Sequence, residues 1–487
     1  MLFNSIDFAI FLPIVFILYW FVTNKNLKLQ NFLIVAASYL FYGWWDWRFL
    51  SLILFSSLVD YFVGLGLLKQ ENQTKRKVLL WTSIIVNLGF LGFFKYYNFF
   101  LDNFITAFSF FGTEINANSL NIILPVGISF YTFQTMSYSI DVYRRKLEPT
   151  KDFIAFSAFV SFFPQLVAGP IERATHLLPQ FYKIRTFDYS KAVDGMRQIL
   201  WGLFKKIVIA DNCAEYANLI FNNSDDYSGS TLVLGALFFT FQIYGDFSGY
   251  SDIAIGTSRL FGFDLMRNFN FPYFSRDIAE FWRRWHISLS TWFRDYLYIP
   301  LGGSRGGIWM KVRNTFAIFI VSGFWHGANW TFIVWGALNA IYFLPLLLTK
   351  NNRINLDIVA QGKVLPSFNE FFLILLTFSL TVFAWIFFRA NNIEHAINYI
   401  AEILSPTLFT IPKFVGENLK FMMNLYITIL MIFIFVIIEW LGREGEYAIA
   451  NVGITLNRPL RYGLYFTIIL VIFWLGGKEQ QFIYFQF

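Results

Sequence analysis

The stretch NTFAIFIVSGFWHGANWTFIVWGALNAIYFLPLLLT, residues 314–349, contains no Lys, Arg, Asp or Glu. A helix rises about 1.5 Å per residue and a bilayer core is about 30 Å thick, so this stretch is long enough to cross a membrane. Counted from the start of the stretch, helical geometry places His326 roughly 15–20 Å inside it, near the bilayer midplane. An ionisable side chain at that depth costs several kcal/mol and by default marks a functional site.

His326 can be interpreted in three ways: as a catalytic base, as a proton-relay residue or as a structural hydrogen-bonding residue. Its neighbours are Gly, Ala, Ser, Asn and large aromatic residues. Small residues let a substrate approach closely, so the setting favours a functional role. The other three histidines are weaker candidates, because His286 lies in a charged segment, and we interpret His176 and His395 as incidental.

The composition indicates an all-α polytopic membrane protein. The chain has 487 residues, of which 56% are hydrophobic, 21% aromatic and only 14% charged. This balance excludes a soluble globular domain. We expect one domain over residues 1–487 with roughly eleven transmembrane helices. We also expect re-entrant or interfacial helices, for example at residues 153–168, which Pro164 interrupts. The lone Cys213 excludes internal disulfides, and no metal-binding motif is present.

Basic residues cluster in short loops, so the net charge of +7 is the topological bias of a membrane protein. This pattern excludes nucleic-acid binding. Lys25 and Lys28 follow the first apolar segment, and further basic loops occur at residues 69–77 and 144–146, separated by acidic or aromatic loops. Positive loops face the cytoplasm, which predicts that the N-terminus lies outside. We place the polar residues 251–313 on the cytoplasmic side, as a polar or re-entrant region.

Two polar clusters could take part in chemistry. The first, FPYFSRDIAEFWRRWHISLSTWFRDYLYIPLGGSRGG at residues 271–307, combines arginines with aromatic residues. It fits a site for a phosphorylated donor, and it fits equally an interfacial helix whose arginines reach lipid headgroups. The second, YGDFSGYSD at residues 244–252, carries Asp246 and Asp252. These carboxylates could orient a histidine, cap helices or pair with arginines.

Six segments resemble the membrane-bound O-acyltransferase family, in particular its bacterial branch that O-acetylates extracytoplasmic polysaccharides such as alginate. They are MLFNS (1–5), ASYLFY (37–42), PQLVAGPI (164–171), DFSGYSD (246–252), FWRRWHISLS (281–290) and FWHG (324–327). The resemblance implies helices around a central tunnel, with His326 as the essential catalytic histidine and His286 in a supporting catalytic role. It also implies acetyl-CoA as acyl donor with no tightly bound cofactor. The candidate donor- or substrate-binding residues are Asp246, Ser248, Tyr250, Arg283, Arg284, Trp285, Arg294 and Asn329.

The resemblance also implies partners and a location. We expect an extracytoplasmic acetyltransferase-type partner, a polysaccharide acceptor, membrane lipids and a place in the bacterial inner membrane. One alternative is transfer of D-alanine toward teichoic acids, because that sibling branch shares the WRRWH core. The continuation RDYLYIPLGG at residues 294–303 favours the acetylating branch. The other alternative is a glycan or lipid transporter without acyl transfer, which the absence of a visible internal repeat disfavours.

Overall fold

A computed structural model describes residues 1–112, 115, 117–414, 418–477 and 480–483. Within these residues all regular secondary structure is helical, with no strand, which confirms the predicted all-α class. The α-helices, numbered in chain order, are α1 (Ile6–Ile17), α2 (Leu27–Asp46), α3 (Leu50–Lys69), α4 (Gln73–Leu91), α5 (Tyr97–Phe110), α6 (Ile128–Tyr143), α7 (Phe153–Ser161), α8 (Ala174–Leu177), α9 (Tyr189–Leu203), α10 (Asp211–Asn222), α11 (Gly229–Leu260), α12 (Ile278–Arg284), α13 (Ile287–Phe293), α14 (Ile308–His326), α15 (Trp330–Leu348), α16 (Phe368–Arg389), α17 (Ile393–Ile403), α18 (Leu419–Gly442), α19 (Val452–Thr455) and α20 (Arg458–Leu475).

Shorter helical segments of other types link or extend these helices. The π-helical segments are Leu18–Val22, Gly92–Tyr96, Phe204–Ala210 and Arg294–Tyr298. The 3₁₀ segments are Trp47–Phe49, Leu178–Tyr182, Ser224–Asp226, Pro272–Phe274 and Pro406–Phe409. π-helical turns often occur at functional sites, and the one at Phe204–Ala210 carries two buried lysines that are described below.

Several helices have the length and composition to cross a membrane, so the chain is a multi-pass membrane protein. Among the described residues there are seven such runs: Leu27–Lys69, Gln73–Phe110, Gly229–Leu260, Trp330–Leu348, Phe368–Arg389, Leu419–Gly442 and Arg458–Leu475. Two of these runs contain more than one helix, because Leu27–Lys69 includes α2 and α3 and Gln73–Phe110 includes α4 and α5. The predicted number of about eleven spans stays a prediction.

The chain separates into two compact units. The first comprises Met1–Gly195 with Thr257–Met266, and the second comprises Met196–Gly256 with Arg267–Phe487. A compact unit is a cluster of contacts, so the prediction of one domain over residues 1–487 stays a prediction.

In the first unit, aromatic side chains fill the core. The ring of Phe163 lies 5.3 Å from Phe11, 5.7 Å from Phe41 and 5.7 Å from Phe261, measured between centroids. Helix α7 is entirely buried beyond its first two residues and spans only nine residues, about 14 Å. Residues 153–168 therefore do not form a spanning helix, which agrees with the expectation of a re-entrant or interfacial segment.

In the second unit, α14 and α15 form a tight helical hairpin. A Cβ atom on Gly323 would collide with the carbonyl oxygen of Phe332, and one on Gly336 would collide with that of Phe319. Small residues at such positions let the helix backbones approach closely. His326 is the last residue of α14, so it lies at the turn of this hairpin.

The length of α14 bears on the depth of His326. Helix α14 begins at Ile308, ahead of the uncharged stretch, and has 19 residues, so its length is about 28 Å. That length is close to the thickness of the hydrocarbon core. Residues 314–326 lie within this one continuous helix, so the estimate of roughly 15–20 Å and the midplane depth of His326 stay predictions.

We predict that Gly323→Ala lowers the free energy of unfolding by about 1–3 kcal/mol, because the added methyl group overpacks the hairpin. The measurement is the thermal midpoint of the purified protein in detergent. The matched control is Gly89→Ala in α4, where an added Cβ meets nothing within 4 Å. Removing a helical glycine there should leave the midpoint unchanged or raise it. Equal midpoints for the two variants would contradict the close hairpin packing.

The polar region at residues 251–313 is largely buried, which the sequence does not predict. Arg276 and Arg284 are 6% exposed and both contact Glu280, at 3.1 Å and 2.7 Å. Arg276 also contacts Asp357 at 2.9 Å. Helices α12 and α13 are too short to cross a bilayer, and Asp277 caps α12 by accepting a hydrogen bond from the Glu280 amide. Buried charges are tolerated when they are paired in this way.

Candidate active site

The second unit brings the two predicted catalytic histidines together. The ring centroids of His286 and His326 are 6.4 Å apart, although the residues are forty positions apart in the chain. Both side chains are buried, with 1% and 4% of each residue exposed.

The backbone holds His286 in an unusual conformation. His286 lies between α12 and α13 with a φ of 43°, in the left-handed region. For a residue other than glycine this costs roughly 1–2 kcal/mol, and such residues cluster at functional sites. Asn268 fixes the following residues: its carbonyl accepts from the Ile287 amide at 2.9 Å and its side-chain oxygen accepts from the Ser288 hydroxyl at 2.9 Å.

Aromatic side chains form the walls around both imidazoles. The Phe247 ring packs edge-to-face on His286 with centroids 4.6 Å apart. Trp335 and Phe388 each lie 5.2 Å from the ring of His326. Trp325 contacts both histidines. Walls of this kind exclude water and so strengthen the electrostatic interactions of the polar groups inside.

The two histidines differ in their electrostatic surroundings. His286 lies outside the candidate spanning helices, and its burial lowers its pKa to about 3, so its ring is neutral at physiological pH. His326 is the last residue of α14. A helix C-terminus carries a partial negative charge, which stabilises positive charge on a nearby imidazole. The position of His326 therefore suits a ring that takes up a proton.

Five of the proposed donor- or substrate-binding residues are buried in the second unit, and three of them, Ser248, Tyr250 and Trp285, carry no charge. Ser248 is 1% exposed, and its hydroxyl has no hydrogen-bond partner among the described residues. Tyr250 packs on Phe482 with ring centroids 5.0 Å apart. Trp285 packs on Phe269 at 5.1 Å. Since Phe269 also contacts Phe247, the wall of His286 continues to Trp285.

The remaining arginines and Asn329 have partners within the protein. Arg283 donates to the carbonyl oxygens of residues 352 and 355, and Arg284 is held by Glu280. Arg294 is exposed and pairs with its neighbour Asp295. Asn329 caps α15 by accepting a hydrogen bond from the amide of residue 331. The donor-binding roles of all these residues stay predictions.

Asp246 is part of a buried ionic cluster. One of its oxygens lies 2.8 Å from the Lys206 ammonium, which also lies 2.8 Å from Asp211. The other accepts a hydrogen bond from the Ile483 amide at 2.7 Å. Asp246 and Lys206 are 2% and 6% exposed. The structure thus gives Asp246 a pairing role that the sequence does not reveal.

A second buried lysine extends this cluster. Lys205 lies 2.5 Å from Asp252, and its ammonium lies 5.8 Å from the centre of the Tyr244 ring. The Tyr244 hydroxyl donates to Glu439 at 2.6 Å. The sequence does contain a signal for this cluster. Gly245 and Gly249 are one helical turn apart on α11, a spacing that lets the segment with the two lysines approach the helix closely. A Cβ on either glycine would lie 2.8–2.9 Å from a carbonyl oxygen of residue 202 or 205.

Comparison with known proteins assigns the family. Residues 144–378 match the sequence profile of the membrane-bound O-acyltransferase family. A protein of Azotobacter vinelandii named "probable alginate O-acetylase" is 41% identical over 83% of this chain and 78% of its own length. The peptidoglycan O-acetyltransferase of Helicobacter pylori is 37% identical over 82% and 79%. The teichoic acid D-alanyltransferase of Bacillus subtilis is 28% identical over 56% and 71%. With two buried histidines facing each other at its candidate site, the chain is an acyltransferase and belongs to the membrane-bound O-acyltransferase family.

Proposed function

We propose that this protein transfers acetyl groups from cytoplasmic acetyl-CoA for the O-acetylation of an extracytoplasmic polysaccharide. The observation that carries the proposal is the pair of buried histidines 6.4 Å apart in a water-poor aromatic site. The relatives named for alginate and peptidoglycan O-acetylation support a polysaccharide as the final acceptor. The protein acts in the bacterial inner membrane, with its N-terminus outside.

His326 is the general base of the reaction. It takes the proton of an acceptor hydroxyl, whose oxygen forms an ester bond with the acetyl carbon. The C–S bond of the thioester breaks, and the imidazolium of His326 passes its proton to the departing thiolate of coenzyme A. The C-terminal end of α14 stabilises the positive charge that develops on the imidazole. His286, which is neutral, orients the reacting groups by hydrogen bonding.

A partner protein completes the reaction outside the membrane. We propose that an extracytoplasmic acetyltransferase-type protein receives the acetyl group and places it on the polysaccharide. Transfer of D-alanine toward teichoic acids is less well supported, since the relative named for that reaction matches at 28% identity over 56% of the chain.

Deleting the gene is expected to remove most of the ester-linked acetate from the cell-surface polysaccharide and to leave its amount unchanged. Mild alkali releases ester-linked acetate and ester-linked D-alanine, so both can be measured in one hydrolysate together with the total sugar. Plasmid-borne wild-type protein should restore the acetate. Loss of D-alanine with normal acetate would overturn the proposal in favour of D-alanyl transfer. Loss of the polysaccharide itself would indicate a transporter.

A further inference from the structure

The first unit contains a polar pocket of about 490 Å³ that lies outside the two-histidine site. It is formed by the segment that follows α8, by the start of α9 and by the end of α11. The charged residues of its lining are His176, Lys183, Arg185, Asp188, Lys191, Arg259 and Asp264. Basic side chains outnumber carboxylates in this lining. The predicted topology places residues 183–191 on the cytoplasmic side.

The carboxylates of the pocket already have partners. Asp264 and the buried Glu172 both contact the His176 ring, at 3.7 Å and 2.7 Å. The nearby carboxylates of Asp264 and Glu172 raise the pKa of His176 to about 10, so the imidazole is protonated. Asp188 caps α9, accepting hydrogen bonds from the amides of residues 190 and 191. His176 therefore pairs with carboxylates of the pocket, and its interpretation as incidental to the chemistry stays a prediction.

Arg185 is a buried cation with only neutral partners. It is 8% exposed and donates to the side-chain oxygens of Gln30 at 3.0 Å and Asn31 at 2.7 Å. Its guanidinium lies 4.7 Å from the centre of the Phe263 ring. No carboxylate of the described residues lies within 4.0 Å of it. Buried charges are normally compensated, so this arginine is prepared for an anion that enters the pocket.

Two further cations stand at the same pocket. Lys183 and Lys191 are exposed, and among the described residues neither forms an ion pair within 4.0 Å, although Asp188 and Asp264 lie near enough to Lys191 to interact electrostatically. Arg259, by contrast, pairs with Asp194. Arginine and lysine together are the side chains that bind phosphate groups, by bidentate hydrogen bonds and by charge.

We propose that this pocket binds the phosphate groups of an anionic ligand, with Arg185 as the buried anchor and Lys183 and Lys191 at the opening. Such phosphate groups occur in soluble nucleotides, including the nucleotide end of coenzyme A, and in the headgroups of anionic lipids. The proposal does not rest on acetyl transfer, because it concerns binding alone.

The test measures binding to the full-length protein in nanodiscs. The soluble probes are pyrophosphate and coenzyme A without an acetyl group, titrated by calorimetry in phosphatidylcholine nanodiscs. The lipid probe is phosphatidylglycerol, counted by native mass spectrometry after extraction. The pocket variant is Lys183→Glu/Lys191→Glu, which changes exposed residues only. The matched control is Lys25→Glu/Lys28→Glu, which makes the same charge change at exposed lysines outside the pocket.

The pocket variant should bind the responding probe at least about tenfold more weakly, and the control should stay within about twofold of wild type. A response to the soluble probes alone identifies a nucleotide-type ligand, and a response to phosphatidylglycerol alone identifies a lipid headgroup. The proposal is overturned if wild type binds none of the probes, or if the pocket variant binds like the control. Since no acetyl transfer is measured, failure here leaves the proposed function standing.

Discussion

His326→Ala is expected to lower the rate of acetyl transfer by at least about 100-fold, since general base catalysis contributes roughly 10²–10⁴-fold. The imidazole is the group placed to take the hydroxyl proton, and His286 cannot take its place because burial lowers its pKa to about 3, which makes it too weak a base. The measurement is alkali-labile acetate per unit of polysaccharide in cells that carry the variant in place of the wild-type gene. His326→Gln, which keeps a hydrogen-bonding side chain but cannot accept the proton, should lose as much.

The control for this prediction is His395→Ala. His395 is a partly exposed histidine of the same unit. Its ring contacts the hydroxyl of Ser224 at 3.2 Å. This variant should retain nearly all of the acetate. Because the His326 ring packs on Trp335 and Phe388, the amount of each variant in the membrane must be measured as well. Full acetylation by a normally abundant His326→Ala protein would remove His326 from catalysis.

The class of the fold could be predicted from the sequence and His326 could be singled out, because both depend on local signals, whereas His286 became a candidate only through the family resemblance. Apolar length indicates membrane helices, and a histidine in an uncharged stretch is costly wherever it lies. The proximity of His286 and His326 is different in kind. It requires α14 to end at His326 and the short helices α12 and α13 to be held by Asn268, and these are contacts between distant residues.

The roles of the charged residues could not be predicted for the same reason. A lysine beside an apolar stretch looks like a topology signal, so the sequence does not indicate that Lys205 and Lys206 are buried. Their burial depends on Asp246 and Asp252, some forty residues later on α11, and on glycines that let the backbones approach. Likewise, the sequence offers Arg284 as a candidate for binding a donor phosphate, whereas in the structure Arg284 pairs with Glu280.

Asp246→Asn is expected to lower the free energy of unfolding by about 3 kcal/mol, because it leaves the buried Lys206 with one carboxylate in place of two. Asp211 remains, so the loss should fall at the lower end of the roughly 3–5 kcal/mol seen when a buried ion pair is broken. The asparagine can still accept the hydrogen bond from the Ile483 amide, which confines the change to charge. The measurement is the thermal midpoint of the purified protein in detergent, together with its amount in the membrane.

The matched control is Asp226→Asn, the same change at an exposed position, where the midpoint should not move. This comparison separates the two roles that Asp246 could have. If Asp246 contacts the donor, its asparagine variant should have a normal midpoint and a raised KM for acetyl-CoA. If Asp246 instead stabilises the buried lysine, the midpoint should fall while the protein that remains folded keeps its KM. The Lys206 contact, at 2.8 Å and shielded from water, favours the second result, and a normal midpoint would contradict it.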